Sequence, residues 1–317
     1  MAGASGMVGR AIVDHILKHH ESLKVRAVHY SQDRPFDNRN SIEWVQADLR
    51  QQEDCVTACK NCNYAILAAA TTGGIIQSQN EPWKQVNDNL VMNAHMLEAL
   101  HKNGIRRVVL IGSSTCYQPF EGKIAESELN WGVDPYETYH GIGWVTRYLE
   151  KLAEFWCKKA DMQIICVRAS NIFGPYAKFD PAVSNFIPAI IRKAHDRLHP
   201  FEVWGSPENT RDVIYSEDFA SAVVQLLLNT NINHDVFNVG TGIPIRVGDV
   251  VDIALKVNEY EDAEILYNTD KGKAVHSRTL NCEKLFTALG WSPQHSIEEA
   301  IKKTALWWSE NKTCWTR

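Results

Sequence analysis

Gly3, Gly6 and Gly9 lie in the run Gly3-Ala4-Ser5-Gly6-Met7-Val8-Gly9. Glycines at this spacing let a backbone turn sharply, approach a pyrophosphate and open a helix against a sheet. An anion held there sits at a helix N-terminus, on N–H groups that no carbonyl of the helix accepts. The chemistry allowed is dinucleotide binding through Gly3, Ser5, Gly6, Met7, Val8 and Gly9.

Such a turn needs a strand before it and a helix after it. Ile12, Ile16 and Leu17 keep helical spacing directly downstream. Only Met1 and Ala2 precede the turn, whereas a buried strand has about 5 residues, so the first strand is expected to be truncated. The runs Val25–Tyr30, Tyr64–Ala69, Arg107–Gly112 and Ile164–Val167 read as further strands. Between them, Trp83–Lys102 and Trp144–Lys159 carry helical apolar periodicity, through Val86, Leu90, Leu97 and Leu100 and through Val145, Leu149, Leu152 and Phe155. Alternation of this kind predicts an α/β Rossmann architecture, a doubly wound parallel sheet over residues 1–175. Seven prolines, Pro175 to Pro293, then punctuate shorter elements, and a smaller mixed α/β substrate-binding lobe is expected over residues 176–317.

The chain has 317 residues, 44% hydrophobic and 22% charged, long enough for a large core in about two lobes. Its net charge of −5, with scattered Lys and Arg, gives no electrostatic footprint for nucleic acid or an anionic membrane. Eight irregularly spaced cysteines read as reduced thiols in a cytoplasmic protein. Cys55, Cys59 and Cys62 cluster without a fourth ligand, so no metal is expected.

In order along the chain come the glycine turn, Asp48-Leu49, Ala68-Ala69-Ala70, Ser113-Ser114, Asn171 to Pro175, Arg211-Asp212 and Leu289-Gly290-Trp291. With these seven landmarks the sequence resembles the extended short-chain dehydrogenase/reductase family of nucleotide-sugar epimerases, dehydratases and reductases. Phe179 to Pro188, with Thr72-Gly73-Gly74-Ile75, is most similar to its GDP-L-fucose synthase-like branch. The resemblance implies a homodimer that binds a nicotinamide dinucleotide and a nucleotide sugar, a GDP-sugar as first guess. It implies that Asp48 and Leu49 meet the adenine, that Ala68, Ala69 and Ala70 let the strand end approach the dinucleotide, and that Asn89 braces the active-site strand beside the cofactor. An acidic residue at the end of the second strand would hold a ribose hydroxyl and a basic one a 2′-phosphate. Ser31 and Arg34 there favour NADP, while Asp33 keeps NAD open.

Family chemistry passes a hydride between the nicotinamide and a sugar carbon, with a tyrosine moving the hydroxyl proton and a lysine four residues later tuning it. An ordinary tyrosine, near pKa 10, is a poor base at neutral pH without a nearby cation. Ser113 fits the family's oxygen-binding hydroxyl, with Ser114 and Thr115 as rivals, and Tyr139 is the natural tyrosine. Yet Gly143 stands four residues after Tyr139 and His140 four after Tyr136, and counting back from Phe173 gives Ile142 and Thr146. Either a local insertion or bend brings Tyr139 to the site, with Arg147, His140 or the nicotinamide tuning it, or the fold keeps binding and has lost efficient proton transfer.

Fucose synthases also use a cysteine after the serine pair and a histidine where this chain has Thr115 and Asn185. Double epimerisation is therefore not expected; a 4-reductase, 4-epimerase or dehydratase-like activity on a nucleotide-linked hexose is. For the nucleotide and diphosphate, the resemblance points to Asn171, Asn185, Lys193, Arg211 and Arg278.

Overall fold

The computed structural model of the protein describes residues 1–30, 41–72, 81–271 and 277–315. Ala2 lies between two parallel strands, bridging Val28 of β1 (Val25–His29) and Leu67 of β3 (Tyr64–Leu67). Its amide donates to Ile66 and its carbonyl accepts from Ala68. On the far side, β1 pairs with β2 (Ile42–Gln46). On the near side, β3 pairs with β4 (Arg107–Ser113), β4 with strand Gln163–Ala169, and that with strand Asp235–Val239, all in parallel. The chain moves outward from Ala2 to β2, then crosses back to β3. This is the doubly wound order expected, and its switch point falls beside Ala2, where ligands of such sheets bind.

Successive strand residues face opposite layers. Val109, Ile165 and Val167 pack under α1 (Met7–His19) and helix Ser216–Leu228, against Ile12, Val13, Phe219 and Val223. Val108, Leu110 and Ile164 pack on the other side against Leu97 and Leu100 of helix Pro82–Lys102 and Val145 and Leu149 of helix His140–Ala160. Strand Asp235–Val239 and helix Ser216–Leu228 thus come from beyond residue 175 to complete the first sheet.

The second lobe joins strands Asn171–Phe173 and Thr210–Tyr215 in parallel and Pro244–Arg246 antiparallel to them, with a separate parallel pair, Phe201–Trp204 and Ile265–Asn268. Helices Phe186–His195, Val247–Val257 and Ile297–Asn311 enclose its core, which includes Ile191, Val250, Ile301 and Trp308. Trp308 stacks on Phe179 with ring centroids 4.3 Å apart.

Several boundaries differ from the sequence reading, two of them at the site. β3 ends at Leu67, because Ala68–Ala70 leave the ladder toward the glycine turn. The helix expected from Trp144 starts at His140, its first turn hidden by Gly141 and Gly143, which interrupt the apolar rhythm. Among the described residues, no helix is long and apolar enough to cross a membrane.

Candidate functional site

The glycine turn is built as a phosphate cradle requires. Gly3 has φ +76°, and a Cβ on it would lie 2.6 Å from the Ala69 nitrogen; a Cβ on Gly9 would lie 2.1 Å from the Gly3 oxygen. Only glycine permits that backbone and that approach. Gly6 caps α1, and no side chain among the described residues caps it, so the first-turn N–H groups are left for a ligand. Met7 and Val8 point into the cores of the second and first lobes respectively, so they hold the turn in place. Ser5 lies on the turn itself, half-buried.

The next strand ends converge on the same edge. Asp48 accepts from the Arg50 amide at 3.0 Å and from both sides of its guanidinium at 2.9 and 2.8 Å. These bonds hold the Asp48 carboxyl below the usual aspartate value. Arg50 also donates to the exposed Tyr30 hydroxyl at 2.9 Å and lies over its ring. Sequence reading missed this Arg50–Tyr30 wall; the signal was a basic residue two positions after Asp48. Leu49 is buried and anchors the loop. Asn89 is also buried, and its amide accepts from Thr71 N at 2.8 Å and donates to Thr71 O at 3.0 Å, bracing the segment that follows Ala68–Ala70. Ser31, Arg34 and Gly73–Ile75 lie outside the described residues.

Ser113, the last residue of β4, still pairs with Ala169, and Ala70 lies three residues past Leu67, where β3 ends. Ser113 Oγ accepts from the Thr115 amide at 3.2 Å, which leaves its proton free to donate. Thr115 Oγ1 is buried with no partner among the described residues. Helix His140–Ala160 begins beside this turn: a Cβ on Gly143 would lie 2.6 Å from the Thr115 carbonyl oxygen. Tyr139 immediately precedes that helix.

The groups expected to tune Tyr139 do other work. Arg147 is fully buried, donating to Cys116 O and Val133 O at 2.7 Å each, and so staples two loops together. His140 is exposed, 3.7 Å from Asp134. Ile142 packs against the first-lobe core, and Thr146 bonds back to its carbonyl, so that alternative register carries no chemistry. In their place stand two arginines from the second lobe. Arg278 donates to Ser114 O, and its guanidinium carbon lies 5.7 Å from the centre of the Tyr139 ring. Burial lowers the pKa of Arg211, with Tyr139 opposing.

The remaining substrate candidates separate. Asn171 donates to Asp212 O at 2.9 Å. Lys193 donates to Glu202 O at 2.7 Å, and burial lowers its pKa; its ammonium is committed to the second-lobe frame. Asn185 is exposed at the start of helix Phe186–His195. Lys178, which sequence reading did not single out, reaches across to Thr72, with Nζ 3.1 Å from the hydroxyl oxygen. Asp212, read in the sequence only as a landmark beside Arg211, accepts from Thr241 N and Leu280 N at 3.1 Å each and fixes strand Thr279–Leu280, which follows Arg278.

Residues 1–240 match the NAD dependent epimerase/dehydratase family. The GDP-L-fucose synthase of Sinorhizobium fredii is 29% identical over 310 residues, covering 96% of this chain and 93% of its own. UDP-glucose 4-epimerase of Thermotoga maritima, solved with UDP-glucose, superimposes with a TM-score of 0.85 at 20% identity over 98% of both chains. A GDP-L-fucose synthetase from Naegleria fowleri bound to NADP gives 0.83 at 19% identity, over 100% of this chain and 95% of that one. The glycine cradle, the strand order and the family match agree: the chain belongs to the NAD dependent epimerase/dehydratase family.

Proposed function

We propose that this protein is an NAD(P)-dependent nucleotide-sugar epimerase, reductase or dehydratase, with NADP the preferred cofactor and a GDP-sugar the first substrate to try. The observation that carries the reading is the Gly3–Ala69 approach at the switch point, at the same ends of the parallel strands as Ser113, the last residue of β4. The GDP-L-fucose synthase relative and the NADP-bound neighbour support the choice of sugar and cofactor. The cofactor, when bound, supplies or accepts the hydride.

The protein's own residues do the rest. The α1 N-terminus takes the pyrophosphate, and Ala68–Ala70 admit the dinucleotide. Asp48 and Leu49 meet the adenine. Ser113 donates to the sugar oxygen, and Tyr139 exchanges the proton without the family's lysine, Gly143 standing at that position. Arg211 faces the diphosphate as a forked donor. The first lobe, completed by helix Ser216–Leu228 and strand Asp235–Val239, binds the dinucleotide, and the rest of 176–317, with strand Asn171–Phe173, binds the nucleotide sugar. Burial pushes the Cys116 thiol up to about 12, so it is no substitute for the proton-shuttling cysteine of fucose synthases. Single rather than double epimerisation follows.

Exposed Trp144, Tyr148 and Phe155 on helix His140–Ala160, with Trp83 and Val91 on helix Pro82–Lys102, suit a homodimer through these two helices. The eight unpaired thiols fit a reducing cytoplasm. The test is hydride exchange with GDP-, UDP-, CDP- and dTDP-sugars. Turnover of one of them, reduced by about 10²- to 10⁴-fold in Tyr139→Phe, is expected. Cofactor binding without turnover of any would leave only a binding protein.

A further inference from the structure

Tyr139 needs a cation, and its own helix has no room for one at the family's position. A Cβ on Gly143 would stand 2.5 Å from Pro135 Cβ and 2.6 Å from Thr115 O. The charge arrives from the other lobe instead. The Arg278 guanidinium carbon lies 5.7 Å from the Tyr139 ring centre and 5.8 Å from that of Phe120, and one terminal nitrogen donates to Ser114 O. Its Nε is buried and has no partner among the described residues. The backbone holds it there: Arg278 O accepts from Asp212 N at 3.2 Å, and Asp212 in turn accepts from Leu280 N at 3.1 Å.

The charged and titratable groups around Tyr139 come from three elements. Arg278 precedes strand Thr279–Leu280, and Arg211 lies on strand Thr210–Tyr215. Tyr136, with its ring 6.3 Å away, and His140, turned toward Asp134, flank Tyr139 in sequence. Burial lowers the pKa of both arginines, and Tyr139 acts on each in the opposite sense. An ion pair with Tyr139 would therefore compensate the burial of either arginine.

We propose that Arg278 is the positioning residue for Tyr139, holding its phenolate form from the second lobe while its bond to Ser114 O keeps the hydroxyl-bearing turn against it. The inference rests on the functional reading above and deepens it. In the oxidative direction the sugar hydroxyl's proton would pass to the Tyr139 phenolate as a carbonyl forms, a bound oxidised nicotinamide being what would accept the hydride. Arg278 moves no proton; it sets how readily Tyr139 accepts one.

The test is ultraviolet titration of phenol ionisation in the full chain, the signal lost in Tyr139→Phe being that of Tyr139. In Arg278→Gln that signal shifts up by about one pH unit or more, and Arg278→Lys restores it. In the same variant the acidic limb of the kcat–pH profile, read in the oxidative direction, moves up with it, while KM for the nucleotide sugar stays within about threefold. An unmoved titration in folded Arg278→Gln overturns the proposal. So does a KM raised about tenfold with a fixed pH profile, which would assign Arg278 to the diphosphate. Circular dichroism checks folding, and Arg278→Met is read instead if glutamine unfolds the chain. The titration needs no sugar, so a chain that turns over no nucleotide sugar would refute the functional reading and leave this one decided by the phenol signal.

Discussion

Both carboxylate oxygens of Glu150 accept from Arg168, at 2.8 Å each, and the two side chains are only 7% and 4% exposed. The pair ties helix His140–Ala160 to the central sheet beside Gly112, one residue before Ser113. Arg168 also donates to the Tyr117 hydroxyl at 2.9 Å, which in turn donates to Asn238 at 2.7 Å. Glu150→Gln leaves a buried guanidinium without its counter-charge, and a loss of about 3–5 kcal/mol is expected. Urea unfolding reads it directly. A loss under about 1 kcal/mol would show that water reaches Arg168.

Restoring the family's lysine will not help this enzyme. Gly143→Lys drives a side chain into Pro135 and the Thr115 carbonyl, so both stability and hydride exchange should fall. The comparison is kcat and thermal midpoint, variant against wild type. A gain in kcat would mean that Tyr139 lacks the cation assigned to it here.

His15 makes stability depend on pH. Burial, then His19 and His20, lower its pKa from 6.5 to about 4, with Glu217 opposing. The folded protein therefore holds His15 neutral where the unfolded chain protonates it. Between pH 6.5 and about 4 the unfolded state binds more protons, so stability is lost as pH falls through that window. His15→Gln should flatten this part of the curve, measured by urea unfolding at several pH values. Equal pH slopes in variant and wild type would remove His15 from the account.

The glycine turn, the strands and the order of landmarks were legible because each is local: a spacing, a period, a dipeptide. The place of Tyr139, just before helix His140–Ala160, was legible too. What surrounds Tyr139 was not. Arg278 reaches Ser114 across 164 residues of sequence, and nothing local marks it as different from a solvated charge. Arg147 lies close to Tyr139 in sequence, yet it is spent on two carbonyls because its face of the helix turns into the core. Asp48 was read correctly as a loop carboxylate at a strand end, but its clamp by Arg50 depends on a side-chain geometry that spacing does not encode. The bond of the Lys193 ammonium to Glu202 O is likewise a partner that spacing does not encode.

Calorimetric titration of the full chain with NADP and with NAD tests the central claim most directly, with Gly3→Ala alongside. The account predicts saturable heat with NADP, weaker heat with NAD, and neither in Gly3→Ala, where the φ of +76° and the 2.6 Å approach to Ala69 N exclude a side chain. No heat from either dinucleotide in the folded wild-type protein would contradict it.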